Sequence, residues 1–226
     1  RDNGPAFIDA INERASPLWK ALATVVENDD DGMYEAAILE VLDTLAFDPQ
    51  SPSGTTFTAY GTGIRLYPLT MALYIVFMVG LRKKRLKLLK EVAGLSLSRR
   101  SHHEEPLPIG TALMYVRRAS DVFQTVQESY PRQGWCDAVG SYVHLWMRAH
   151  LFPEFSVLER HGHFLYIAEF VLSLLAASAE NLRRPAPGAF FFSDESDAII
   201  RRYLRAENNL LKELFGIQLK SVLERF

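Results

Sequence analysis

Apolar positions recur along most of this chain at the three-to-four-residue spacing of an α-helix, interrupted by connections rich in Pro, Gly, Ser and Thr. A short helix is expected over 5–13. Ser16-Pro17 then supplies a capping residue followed by a proline at the first helical position, which predicts a second helix to about residue 28, with Leu18, Leu22, Val25 and Val26 on its face. The acidic triplet Asp29, Asp30 and Asp31 with Gly32 makes the next turn and favours the dipole of the helix that follows. That helix is expected over 33–47, with Ile38, Val41, Leu42 and Leu45 inward. From 48 to 65 the periodicity stops, leaving a linker, a functional loop or an insert.

The stretch 67–97 organises the rest. Its first half, YPLTMALYIVFMVGL, carries no charge between Arg65 and Arg82, so every face of the helix must be covered. Its apolar core, 69–81, falls short of the roughly 20 residues that a bilayer requires, so a buried central helix is expected and no membrane span. A basic amphipathic helix follows directly. Further helices are expected over 109–130, ended by Pro131, over 135–152, and from Pro153 to about 160. Gly162 is read as a break, followed over 164–182 by a second nearly all-apolar helix that should pack on the central one. After a proline-punctuated loop, 183–192, a helix from Asp194 runs toward Phe215 with Gly216 as its terminator, and 217–226 forms a last short helix. The expectation is an all-α globular domain of eight to ten helices built around two buried apolar ones. It spans 1–226, with the option of a small N-terminal subdomain, 1–47, joined by the loop 48–65.

Composition narrows the function classes. The 226 residues carry 25 basic and 27 acidic side chains for a net charge of −2, so no global field draws the protein to nucleic acid or anionic lipid. Cys136 is the single cysteine, which excludes an intramolecular disulfide and a cysteine-rich zinc site and suits a reducing, cytoplasmic compartment. The chain opens on Arg1 with no secretion signal, as expected of a domain within a longer protein.

Local chemistry is concentrated in few places. Lys83, Lys84, Lys87 and Lys90 share one face of the expected basic helix, opposite Leu86, Leu88, Leu89 and Val92. They are the candidate contact for an anionic partner, with weak nucleic-acid binding as one use and a solvated face as the commoner one. Three adjacent phenylalanines, Phe190, Phe191 and Phe192, cannot all point inward from an extended segment, and they are the candidate protein interface. His102, His103, His150, His161 and His163 lack metal-ligand spacing, so neither metal nor cofactor is expected. Glu169 is isolated in an apolar helix and must be paired or neutral if buried.

Residues 65–80, opening Arg65-Leu66-Tyr67-Pro68, with the basic helix to Leu88-Leu89 and the stretch 155–175 containing Phe164 and 172–175, resemble helical regions that follow effector or nucleotide-binding modules in bacterial anti-phage defence proteins. The resemblance implies a cytoplasmic sensing or scaffolding domain with its chemistry carried elsewhere in the polypeptide. A non-enzymatic interaction domain, bound to a protein partner or to copies of itself, is therefore the first expectation. A nucleic-acid-associated or hydrolytic helical protein using 82–90 is the second.

Overall fold

The computed structural model describes residues 4–46, 63–97, 107–113, 116, 143, 146–147, 149–151, 158–179, 194–207 and 209–216. Of these, 84% are helical, and the only strands among them pair two residues with two, Ser96 with Pro108 and Leu97 with Leu107, so the protein is all-α. The helices whose bounds lie among the described residues are α1 (Gly4–Asn28), α2 (Glu35–Ala46), α3 (Tyr67–Arg82), α4 (Leu86–Ala93), α5 (Leu158–Ala179), α6 (Asp194–Ala206) and α7 (Leu210–Phe215), with a 3-10 turn at Ile109–Thr111; 112–113, 116, 143, 146–147 and 149–150 are helical too. No helix among the described residues is long and apolar enough to cross a membrane.

Helix α3 is the axis. Every residue from 69 to 81 is buried, as an uncharged helix with no polar face demands. Helix α1 covers one side and α5 another. Trp19 of α1 stands edge-on to Tyr67, with ring centroids 6.1 Å apart, and edge-on to Trp146 at 5.0 Å. The Tyr67 hydroxyl donates to Asn12 Oδ1 at 2.9 Å, tying the start of α3 to α1. On the other side, α5 is buried from 165 to 175 and packs on α3 as its hydrophobicity predicts.

Four local expectations are corrected. Pro17 lies inside a continuous α1 rather than opening a second helix. It removes the N–H that would reach the carbonyl of Glu13, but both residues are exposed, so water can serve that carbonyl. Gly162 lies inside α5. A helical glycine costs about 1 kcal/mol against alanine, less than the roughly 1.5–3 kcal/mol from burying each large apolar side chain that follows it. Beyond Asp194 one helix ends at Ala206 and the next begins at Leu210, whose N–H donates to Glu207 O, and Gly216 at φ +65° closes α7.

The fourth correction concerns the basic stretch. It is not one helix: α3 ends at Arg82, and residues 83–85 turn the chain into α4. Arg85 N donates to Gly80 O at 2.8 Å and Lys84 N to Leu81 O at 3.2 Å, the paired closure in which the residue past the cap is left-handed. That residue is Lys84, at φ +57°, where glycine is the usual occupant. The turn is tight because Gly80 lets α4 approach: a Cβ there would lie 2.8 Å from Leu89 Cδ2, and Leu89 is fully buried.

Gly80→Ala should therefore destabilise the fold. Overpacking costs typically 1–3 kcal/mol, against up to about 1 kcal/mol of improved helix propensity, so a net loss of about 1 kcal/mol is expected in urea unfolding. Adding Leu89→Ala should shrink the effect of the alanine at 80, and an unchanged effect would show that Leu89 is not the obstacle.

Candidate functional site

The sequence places its densest positive charge at 82–87, and the fold surrounds it with carboxylates from three other segments. Asp29 directly follows α1 and Glu35 begins α2, and the turn between them is fixed in several ways. Tyr34 N donates to Asp29 Oδ2 at 3.1 Å, and Gly32 adopts φ +74° with its N–H directed to Asp29 O. A side chain at Gly32 would be strained and would crowd the Glu35 carboxylate.

Arg85 fills the space behind this turn. Its guanidinium donates through Nη1 to the main-chain oxygen of Asp29, and through Nη2 to Asp29 Oδ2 at 3.1 Å and Glu35 Oε1 at 3.2 Å. The side chains of Arg85, Asp29 and Glu35 retain only 9%, 2% and 11% exposure, so this is a desolvated cluster. Lys87 closes its outer edge, with Nζ 2.7 Å from Glu35 Oε2. One planar cation thus grips both ends of the α1–α2 turn, a task that suits the fork geometry of arginine better than a lysine.

The flanking cations are engaged too. Arg82 pairs with Glu27, Lys83 with Asp30 at 3.1 Å, and Lys84 with Glu207 beyond α6 at 2.6 Å. No family model, curated protein or solved structure matches the chain. The function must therefore be argued from this geometry.

Of the four lysines proposed for an anionic partner, Lys83, Lys84 and Lys87 have acids of the same chain as partners, whereas Lys90 is exposed with no ion pair among the described residues. They do not share one helix face, since Lys83 and Lys84 lie in the turn before α4. Phe190, Phe191 and Phe192, along with His102, His103 and Cys136, lie outside the described residues. His150 is exposed, with its ring 5.1 Å from that of Trp146, and His163 is exposed on α5. No group of three or more His, Cys, Asp or Glu among the described residues is placed to hold a metal ion. Glu169 is fully buried between α3 and α5, where the Tyr74 hydroxyl donates to Oε1 at 3.1 Å.

Sequence reading missed two features. The pairing of Arg85 with Asp29 joins residues 56 apart, which no local spacing reveals. The turn also displays Met33 at 73% and Tyr34 at 52% exposure, although helical periodicity had placed both at the start of an amphipathic helix.

Burial alone would raise the Asp29 carboxyl, but Arg85 and the amides of Tyr34 and Met33 outweigh it and hold the group below its ordinary 3.8. The hydrogen bond from Lys87, aided by Arg85, likewise holds Glu35 below its ordinary 4.5 against burial. Depressed carboxylates contribute stability that is complete above their unfolded values and is lost as pH falls through the folded ones. Stability should be level near neutrality and decline as pH drops below 4.5 and then 3.8. Glu35→Gln should make that acid limb shallower, and an unchanged limb would exclude Glu35 from it. Arg85→Met would leave Asp29 buried without its cation and Glu35 held by Lys87 alone, and a loss of about 3 kcal/mol is expected, the lower end for a broken buried pair because Lys87 remains and one edge reaches solvent. A change under about 0.5 kcal/mol in chemical unfolding, the usual size for a surface substitution, would show that the cluster does not stabilise the fold.

Proposed function

We propose that this chain is a non-enzymatic α-helical interaction and scaffolding domain, working in the cytoplasm in the manner of the accessory helical regions of bacterial anti-phage defence proteins. The observation that carries the reading is the rigid display of two large apolar side chains: Met33 and Tyr34 are exposed on a turn whose backbone is fixed by Asp29, Gly32 and Arg85. Methionine, tyrosine and arginine are enriched at protein interfaces, and a turn ordered before binding loses little entropy on association. The defence setting rests on the resemblance of 65–89 and 155–175. The Phe190–Phe192 run is a further candidate contact on sequence grounds.

The charge arrangement supports a protein partner over a polyanion. Each lysine on a phosphate steepens the dependence of log affinity on log salt by close to one unit, so four free lysines would give a slope of roughly −3 to −4. With Lys83, Lys84 and Lys87 held by Asp30, Glu207 and Glu35, only Lys90 is immediately available. Titration of duplex DNA at several salt concentrations should give no binding near physiological salt and a slope of about −1 at low salt. Replacing Lys83, Lys84 and Lys87 together with Glu should lower the melting temperature. A slope of −3 to −4 that vanishes in a stably folded triple variant would transfer the assignment to nucleic-acid association.

A further inference from the structure

Methionine is the side chain of the Met33–Tyr34 turn whose character a reversible reaction can invert, because its thioether is apolar and the corresponding sulfoxide is polar. Which methionines of a folded chain react is set by access of the oxidant to sulfur. The chain has five methionines. Met71, Met78 and Met147 are closed into the core at 0%, 1% and 0% exposure, whereas Met33 stands 73% exposed. Met71 and Met78 belong to α3 itself, so an oxidant reaches them only when the central helix opens, which is a rare event in a folded core.

The turn that carries Met33 is held by main-chain contacts that do not involve its side chain. The Asp29 carboxylate accepts from the amides of Met33 and Tyr34, and the Gly32 N–H is directed to Asp29 O. Arg85 fixes Asp29 from behind. An oxygen added at the Met33 sulfur therefore meets water and leaves these contacts in place. The same oxygen on Met71 would be enclosed by apolar side chains, where a polar group without a partner is costly. Oxidation at position 33 changes the surface and spares the fold.

We propose that Met33 is a reversible oxidation site through which peroxides switch the α1–α2 turn from an apolar to a polar surface. This switch rests on the interaction-domain reading and supplies its regulation. One peroxide oxygen passes to the Met33 sulfur as the O–O bond breaks; the thioether is oxidised by two electrons, and the other oxygen leaves as water or, from an organic peroxide, as the alcohol. A methionine sulfoxide reductase, drawing two electrons from a dithiol, removes the added oxygen as water and restores the thioether. The exposure of the side chain gives both the oxidant and the reductase access. A sulfoxide must shed its water to enter an apolar contact, so the oxidised turn binds apolar surfaces more weakly.

Hydrogen peroxide treatment followed by peptide-mapping mass spectrometry tests the site. In the folded chain Met33 should be oxidised at least about tenfold faster than Met71, Met78 and Met147, and the preference should vanish in denaturing urea. The urea midpoint of chain oxidised at Met33 should match that of untreated chain, as for a surface substitution. On a hydrophobic-interaction column the oxidised chain should elute earlier and return to its original position after treatment with methionine sulfoxide reductases. Met33→Gln should elute early without peroxide, and Met33→Leu should show no peroxide-induced shift. Equal oxidation of all four methionines in the folded chain, a preference that survives in urea, a lowered midpoint, or a shift that persists in Met33→Leu would each overturn the proposal. These readouts use neither a partner nor nucleic acid, so their failure is separate from failure of the interaction-domain reading, which the DNA titration decides.

Discussion

The structure depends on a single desolvated cation. Arg85 lies where two chain reversals meet, the α1–α2 turn at 29–34 and the α3–α4 turn at 83–85, and it donates to groups of both Asp29 and Glu35. A guanidinium with only 9% of its side chain exposed requires compensating charge, and two carboxylates on opposite sides of the same turn supply it. The geometry therefore constrains more than one ion pair: it sets where α1 ends, where α2 begins and how both meet the central helix. Lys84, forced left-handed at the adjacent position, is held on the other side by Glu207, so the same short turn also reaches the end of α6.

Around that point the fold is an apolar axis with helices laid on it. Helix α3 has no polar face to leave in water, and its two main neighbours bring their own buried surfaces along with a few polar contacts. The Tyr67–Asn12 and Tyr74–Glu169 hydrogen bonds tie α3 to α1 and to α5 respectively. Buried polar groups lose their hydrogen bonds if the packing slips, so such contacts favour one arrangement of helices over neighbouring alternatives.

The all-α class, the burial of α3 and its packing with α5 could be read in the sequence, because an uncharged helical run has no stable place except the interior. Gly216 as a terminator was legible for a similar reason: its left-handed conformation is a local property. Breaks were harder to place. Pro17 and Gly162 look like interruptions by propensity alone, yet burial along α5 and exposure of Pro17 on α1 allow both helices to continue. The basic stretch looked like a ready surface because its lysines share a face on an ideal wheel, a pattern that ended when Gly80 permitted a sharp turn and Lys84 broke the helix. Nothing near position 85 announces that the carboxylates of the first turn, 50 and more residues earlier, are its partners.

Charge in this protein is thus divided by use. Cations at 82–87 hold elements of one chain together, whereas Arg202 and Arg205 on α6 are exposed with no ion pair among the described residues. The account turns on whether Arg85 and Glu35 stabilise the fold as a coupled pair, and a double-mutant cycle with Arg85→Met and Glu35→Gln measures that coupling. Contacting charges in one network should give an interaction energy of at least about 1 kcal/mol, with the double variant less damaged than the sum of the single ones. Additive losses within about 0.3 kcal/mol, the behaviour of independent sites, would contradict a fold held at this point by a shared buried charge.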